Sequence, residues 1–160
     1  MLILDNKEVK VRKTDATKSG YQVYLKGKDG WEPCYTDSAN GYFRVWMGSY
    51  EEAKVDKTVN FYYQHIIVYA YYCGWNRLYI MPQQVIHHMD HNKQNNKIEN
   101  LICMNQRDHR LYHICENKLK EEGLSEEEKQ NTYSEMTKIL SKWLILRDRA
   151  LKKNAEEIIL

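Results

Sequence analysis

Histidine is the residue type in this sequence that combines reactive chemistry with tight clustering. Five of the six histidines lie between Val85 and His113, and the sixth, His65, comes shortly before them. Imidazole binds metal ions, and it is the side chain whose unperturbed pKa lies closest to neutrality. This stretch is therefore where acid–base or metal chemistry is expected.

The residues from Gln84 onward predict a strand, a loop, a second strand and a helix. The apolar run Gln84–Ile86 ends in the pair His87 and His88. Residues that favour turns or bond to their own backbone fill the next positions: Asp90, His91, Asn92, Asn95 and Asn96. A second apolar run, Leu101–Met104, then predicts the second strand.

Asn105 is placed to cap a helix that carries two more histidines. His109 and His113 are four residues apart, so they share one helix face and both imidazoles can reach one metal ion. His113 alone also fits a surface residue or a phosphate contact. Arg107 and Arg110, near the start of the same helix, fit either phosphate contacts or ordinary surface charge.

The ordered set of residues resembles the HNH endonuclease family. Its ββα-metal finger has a histidine on the first strand, a central asparagine, and a metal-binding histidine or asparagine on the helix. His88 matches the first histidine, Asn100 the central asparagine, and His109 the third position. The phrase HHMDHNKQNNKIENL is especially similar to phage homing and free-standing HNH nucleases.

The resemblance implies a metal-dependent endonuclease that hydrolyses DNA phosphodiester bonds. Hydrolysis needs a base that titrates near neutral pH and a cation on the oxygens where negative charge accumulates. We assign His88 as the general base, and His87, His109 and His113 as the metal ligands. Asn100 is expected to hold the loop so that the His88 ring faces the attacking water.

A set of imidazole ligands favours one Zn, Ni, Co or Mn ion over Mg, which prefers oxygen ligands. A second interpretation is a DNA-binding protein that keeps the finger only as a metal-stabilised fold, without turnover.

Adjacent residues of a regular strand point to opposite sides. His87 and His88 therefore reach one ion only if the backbone leaves the regular strand.

Each candidate also has a purely structural interpretation. His87 and His88 could be polar residues of an exposed hairpin, and His91 is interpreted as a solvated loop residue. The remaining polar loop residues are expected to hold turns through bonds to the backbone: Asp90, Asn95 and Asn96. His65 opens a predicted helix, Ile66–Cys73, which Gly74 would end, and it is expected to be structural.

Composition places few limits on the partner. The net charge is only +2 and the pI is near 8.2, so any DNA-binding surface must come from local segregation of charge. The four cysteines form no CxxC pair and are expected to be reduced thiols. The short apolar start is not expected to be a signal peptide, and no apolar run is long enough to span a membrane. A cytoplasmic protein is expected, in the host cell if it is phage-encoded.

The predicted fold class is α+β, with three regions along the chain. Residues 1–60 are predicted to form short antiparallel strands, whose Lys26 and Arg44 are candidate DNA contacts. Residues 61–122 form the HNH core, with the finger at 83–115. Residues 123–160 form a long helix that opens with a capping box at Ser125 and Glu128.

The predicted C-terminal helix carries one apolar stripe: Met136, Leu140, Trp143, Leu144 and Leu151. The stripe could pack on the rest of the domain, or it could form a homodimer or another partner contact. Four basic residues near the end of the helix could also meet a phosphate backbone: Arg147, Arg149, Lys152 and Lys153.

Overall fold

Four antiparallel strands at the N-terminus form the first sheet. The structure, a computed structural model, describes residues 1–4, 6–47, 61–76 and 82–159. The strands pair in chain order: β1 (Leu2–Leu4), β2 (Lys7–Lys13), β3 (Tyr21–Lys26) and β4 (Trp31–Pro33). Val9, Val11 and Val23 are buried while their strand neighbours are less so. The strands predicted from this alternation are confirmed.

A second sheet leads directly into the first helix. Its antiparallel strands are β5 (Tyr35–Ala39), β6 (Tyr42–Trp46) and β7 (Phe61–Tyr63). A turn at Asn40 and Gly41 joins β5 to β6, and both residues have positive φ angles, 54° and 82°. Within the predicted N-terminal region, residues 48–60 lie outside the described part of the chain.

Helix α1 (Gln64–Tyr72) follows β7 without a loop. It begins two residues before the predicted Ile66, so that Gln64 and His65 belong to its buried first turn. Gly74, with a φ of 71°, lies just past its end, as predicted. The helix therefore carries His65 into the interior.

The predicted finger is confirmed as β8 (Gln84–His88), β9 (Leu101–Asn105) and α2 (Gln106–Leu119). The two strands are antiparallel, and His88 lies opposite Leu101. Asn105 caps α2, because the backbone N–H of Asp108 donates to its Oδ1 at 2.7 Å. The loop between the strands contains a short 3-10 turn at Ile98–Asn100.

Helix α2 ends earlier than predicted. The charged run Glu116–Glu122 predicts that the helix continues until Gly123, but the last helical residue is Leu119. The N–H groups of Lys120 and Glu121 bond to carbonyls only three residues back, which tightens the chain into a turn. Gly123 then adopts a φ of 84° and leads into the next helix.

The long C-terminal helix α3 (Glu126–Ile159) begins at the predicted capping box. The Ser125 N–H donates to Glu128 Oε2 at 2.9 Å, and the Glu128 N–H donates to Ser125 Oγ at 3.1 Å. The helix packs on α2, β9 and α1, with Ile139 buried and Leu151 against the core. The apolar stripe thus covers the domain itself, and a homodimer through this helix stays a prediction.

Polar side chains of α3 tie it to the finger and to α1. Trp143 Nε1 donates to the Asp108 carboxylate at 2.7 Å. Arg147 donates to the carbonyls of Glu99 and Leu101, at 2.9 and 3.1 Å. The Asn154 amide donates to the last carbonyls of α1. Arg147 is therefore bonded to the finger backbone, and its contact with DNA phosphates stays a prediction.

Arg147 provides a test of the hydrogen bonds that hold α3 on the finger. We expect Arg147→Met to lower the free energy of unfolding by about 1–3 kcal/mol, because carbonyls of the finger lose their donor. Arg149→Met is the matched control: Arg149 is exposed on the same helix, and its loss should change stability by less than about 0.5 kcal/mol. Urea unfolding measures both. Equal midpoints for the two variants would show that the Arg147 bonds contribute nothing.

One buried core joins these elements. It contains Val23 from the first sheet, Val45 from the second, Ile67 from α1, and Ile86 and Leu101 from the finger. The finger is therefore held against the N-terminal strands through α1.

The fold class is α+β, as predicted. None of the described helices contains a sufficiently long apolar stretch to span a membrane.

Candidate metal centre and active site

Three imidazoles from β8 and α2 converge on one point. His87, His109 and His113 each offer a ring nitrogen, and these nitrogens all lie within 4.8 Å of one another. The Nε2 atoms of His109 and His113 are 3.0 Å apart. Two nitrogens bound to one tetrahedral ion at about 2.0–2.1 Å stand roughly 3.3 Å apart. The observed spacing is therefore close to that of a shared metal ligand pair.

His87 gives the strongest sign that a cation fits. Its side chain is buried, and within the described part of the chain its Nε2 has no hydrogen-bond partner. Burial, together with the neighbouring His109 and His113, lowers the pKa of His87 to about 4. Burial and His113 also lower the pKa of His109. Neutral imidazoles are the form that binds metal, so these donors suit a divalent ion.

Glu116 orients the third imidazole. Its carboxylate accepts from Nδ1 of His113 at 2.8 Å and from Nε2 of His91 at 2.7 Å. Burial alone would raise the pKa of Glu116, but the bonds from these two histidines lower it overall. Because the hydrogen of His113 lies on Nδ1, its Nε2 carries a lone pair that can bind a metal ion. His91 is exposed at the rim, in agreement with its predicted loop position.

Glu116→Gln tests this support. We expect metal affinity to fall by about 10–100-fold, the usual cost of losing a carboxylate behind a metal-bound histidine. Glu121→Gln, an exposed neighbour on the turn after α2, is the control and should leave affinity unchanged. Competition with a chromogenic chelator measures both affinities. An unaltered affinity in Glu116→Gln would exclude its role in orienting His113.

His88 points away from this cluster. Its Nε2 lies 2.9 Å from Oδ1 of Asn96, and its ring packs edge-on against His65 at 5.0 Å. Burial is the main reason that the pKa of His88 lies below its ordinary value. The expected alternation of a regular strand therefore holds: His87 faces α2, and His88 faces α1.

Asn100 holds the loop next to His88, as predicted. Its Oδ1 accepts from the Asp90 N–H at 3.0 Å, and its Nδ2 donates to the Asp90 carboxylate at 2.8 Å. Asp90 and Asn95 also hold the loop turns, as expected. Asn96 does not: it is buried and bonds to His88 rather than to the loop backbone.

His65 lies within the protein, as its structural interpretation required. It packs between Tyr42, Tyr63 and His88. Burial lowers its pKa to about 3, so it is neutral at physiological pH. Lys93 was not singled out from the sequence, yet it lies 4.7 Å above the ring of Tyr42, beside His88. It is therefore a cation close to the candidate base.

The predicted DNA contacts differ in their surroundings. Arg107 and Arg110 are exposed on α2, the helix that carries His109. Arg44 makes two bonds to Asp37, at 2.6 and 2.8 Å, and Lys26 pairs with Glu8 at 2.6 Å. The two arginines on α2 are thus the more available of the four.

Two antiparallel strands and a helix that bring three imidazoles together have the ββα arrangement expected from the sequence. Residues 62–111, about a third of the chain, match the family model described as HNH endonuclease. The match includes His88, Asn100 and His109 but ends before His113 and Glu116. Neither the curated proteins nor the solved structures gave a match.

Proposed function

We propose that this protein is a metal-dependent HNH endonuclease that hydrolyses phosphodiester bonds in DNA. The observation that carries the proposal is the buried Nε2 of His87, which has no hydrogen-bond partner among the described residues and belongs to the cluster with His109 and His113. A buried polar atom without a partner is costly, and a bound cation would remove that cost. HNH endonucleases as a family are hydrolytic nucleases, which gives the class of reaction.

His88 acts as the general base in this proposal. Its lowered pKa leaves the ring neutral at physiological pH, so it can accept a proton from the attacking water. The water oxygen forms a bond to phosphorus while the bond to the 3′ oxygen breaks. A divalent ion held by His87, His109 and His113 would stabilise the charge on the phosphate and leaving oxygens. Asn100 keeps the adjoining loop in place.

The metal is proposed to be Zn, Ni, Co or Mn rather than Mg. Three neutral imidazoles form a nitrogen donor set, which transition metals accept readily and Mg does not. Three protein ligands also leave coordination positions open, as in catalytic rather than structural sites. Cleavage supported by Mg alone would count against His113 as a ligand.

DNA is proposed to approach along α2. Arg107 and Arg110 are exposed on the helix that bears two of the ligands, and guanidinium groups bind phosphate in a bidentate manner. Arg44 and Lys26 could contribute only by exchanging their carboxylate partners for phosphates.

The four described cysteines are free and buried, which supports the expected cytoplasmic location.

Plasmid cleavage tests the proposal. Metal-free wild-type protein is incubated with supercoiled plasmid and Zn, Ni, Co, Mn or Mg, with a chelator as the control. We expect nicked circles or linear DNA with at least one transition metal and none with the chelator. Absence of product with every metal would overturn the nuclease proposal, and a gel shift would then test for DNA binding without turnover.

A further inference from the structure

A chain of buried side-chain amides runs from His88 to the N-terminal sheet. Asn96 is 1% exposed and Gln64 is fully buried. Asn96 Nδ2 donates to Gln64 Oε1 at 3.0 Å, and Gln64 Nε2 donates to Ser19 Oγ at 2.9 Å. Ser19 Oγ then donates to the carbonyl oxygen of Tyr21 at 3.1 Å. The candidate base is thus linked to a backbone group on β3.

The backbone carbonyl of Tyr21, at the far end, sets the direction of every hydrogen bond in this chain of amides. Gln64 Nε2 also lies 3.5 Å from the oxygen of Tyr21, which can only accept. The opposite orientation would point the carbonyl oxygen of Gln64 at that same oxygen. Gln64 therefore presents its oxygen to Asn96, and Asn96 in turn presents its own oxygen to His88.

We propose that Gln64 and Asn96 are positioning residues that fix the tautomer of His88. Because Oδ1 of Asn96 can only accept, the hydrogen of the neutral His88 ring lies on Nε2. The other ring nitrogen, Nδ1, then carries a lone pair, and it is the atom that receives the proton from water. This inference rests on the proposed role of His88 as the base.

The length and burial of the chain explain why one orientation persists. A terminal amide rotates easily between its two orientations when nothing distinguishes oxygen from nitrogen. Here each amide is buried and bonded on both sides, so reversing one of them would leave unpaired polar groups at a cost. The N-terminal strands thereby set the protonation state of a residue on the finger.

Nitrogen-15 NMR of the histidine rings tests the tautomer directly. The spectrum of metal-free wild type is recorded near pH 7, and the His88 signals are assigned by their loss in His88→Gln. We expect the hydrogen on Nε2 and an unprotonated Nδ1. A hydrogen on Nδ1 in the wild type would overturn the proposal, whatever the nuclease activity.

Two replacements of Gln64 test the link. Gln64→Met removes the acceptor for the Asn96 amide. The Asn96 amide can then rotate. We expect the Nδ1–H tautomer to appear and kcat for plasmid cleavage to fall about tenfold or more, within the roughly 10⁴-fold that a wrong histidine tautomer costs. KM should stay nearly constant. Gln64→Glu keeps an acceptor for Asn96, and its buried carboxyl, when protonated, can donate in place of Nε2, so we expect it to retain the Nε2–H tautomer of His88.

The control is Gln22→Met, because the Gln22 amide also donates to two oxygen atoms, here the carbonyls of Val23 and Cys34, but lies on β3 away from His88. It should leave the tautomer and kcat unchanged. An unchanged tautomer and kcat in a folded Gln64→Met would overturn the proposal. If Gln64→Met does not fold, two variants of Asn96 replace it. Asn96→Asp should preserve the Nε2–H tautomer of His88, and Asn96→Leu should remove the preference of His88 for that tautomer. Identical histidine spectra for these two variants would also overturn the proposal.

Failure of this inference is distinguishable from failure of the proposed function. Wild type that cleaves DNA but carries the hydrogen on Nδ1 overturns only the role of the amide chain. A wild-type protein that carries the His88 hydrogen on Nε2 but cleaves no DNA overturns the proposed nuclease function.

Discussion

Replacing His88 by alanine should reduce DNA cleavage by about 10²–10⁴-fold, the usual contribution of a general base. Metal binding should persist, because His88 points away from the three candidate ligands towards Asn96 and His65. The measurement is the initial rate of plasmid nicking, together with metal stoichiometry on the same preparations. A variant that binds metal and does not cut would separate the chemistry of the base from that of the ion.

His88→Gln is the companion variant. Its amide can still donate to Asn96, which limits the disturbance of the buried chain, but an amide does not accept a proton from water at neutral pH. It should be as inactive as His88→Ala while melting closer to the wild-type temperature. Wild-type rates in both variants would show that another group, or a contaminating nuclease, performs the cleavage.

Replacing His109 by alanine should abolish both metal binding and cleavage. The side chain supplies one of the three nitrogens that lie within 4.8 Å of one another. We expect metal affinity to fall by more than the roughly 10–100-fold cost of losing a supporting partner. In the wild type, an ion at 100 times its Kd should stabilise the folded state by about 2.7 kcal/mol, and this gain should disappear in the variant.

The readout is the melting temperature with and without added Zn, compared with chelator titration. His109→Asn is the control, since an amide oxygen can still approach an ion, and it should retain part of the affinity. An equal metal-induced rise in melting temperature for wild type and His109→Ala would place the ion elsewhere. Metal-free wild type should still fold, because the core does not depend on the three imidazoles.

Short-range patterns account for most of what was predictable. The caps at Asn105 and Ser125 involve partners three residues away, and such bonds follow from local spacing. The shared helix face of His109 and His113 follows from the helical period. Glu116, three residues after His113, could have been found by the same reasoning. The end of α2 was misjudged because the left-handed Gly123 comes after an additional turn rather than at the helix terminus.

The sequence alone determined the α+β fold class, the order of the elements of the finger and the shared helix face of His109 and His113, because these depend on neighbours along the chain. Only the tertiary structure decided that β8 stays a regular strand through His88, that Arg147 binds backbone carbonyls, and that Asn96 bonds to His88. Gln64 reaches Ser19 across 45 positions and Asn96 across 32. No local propensity encodes such a pairing, because burial in a shared core brings these residues together and then requires their polar groups to be satisfied.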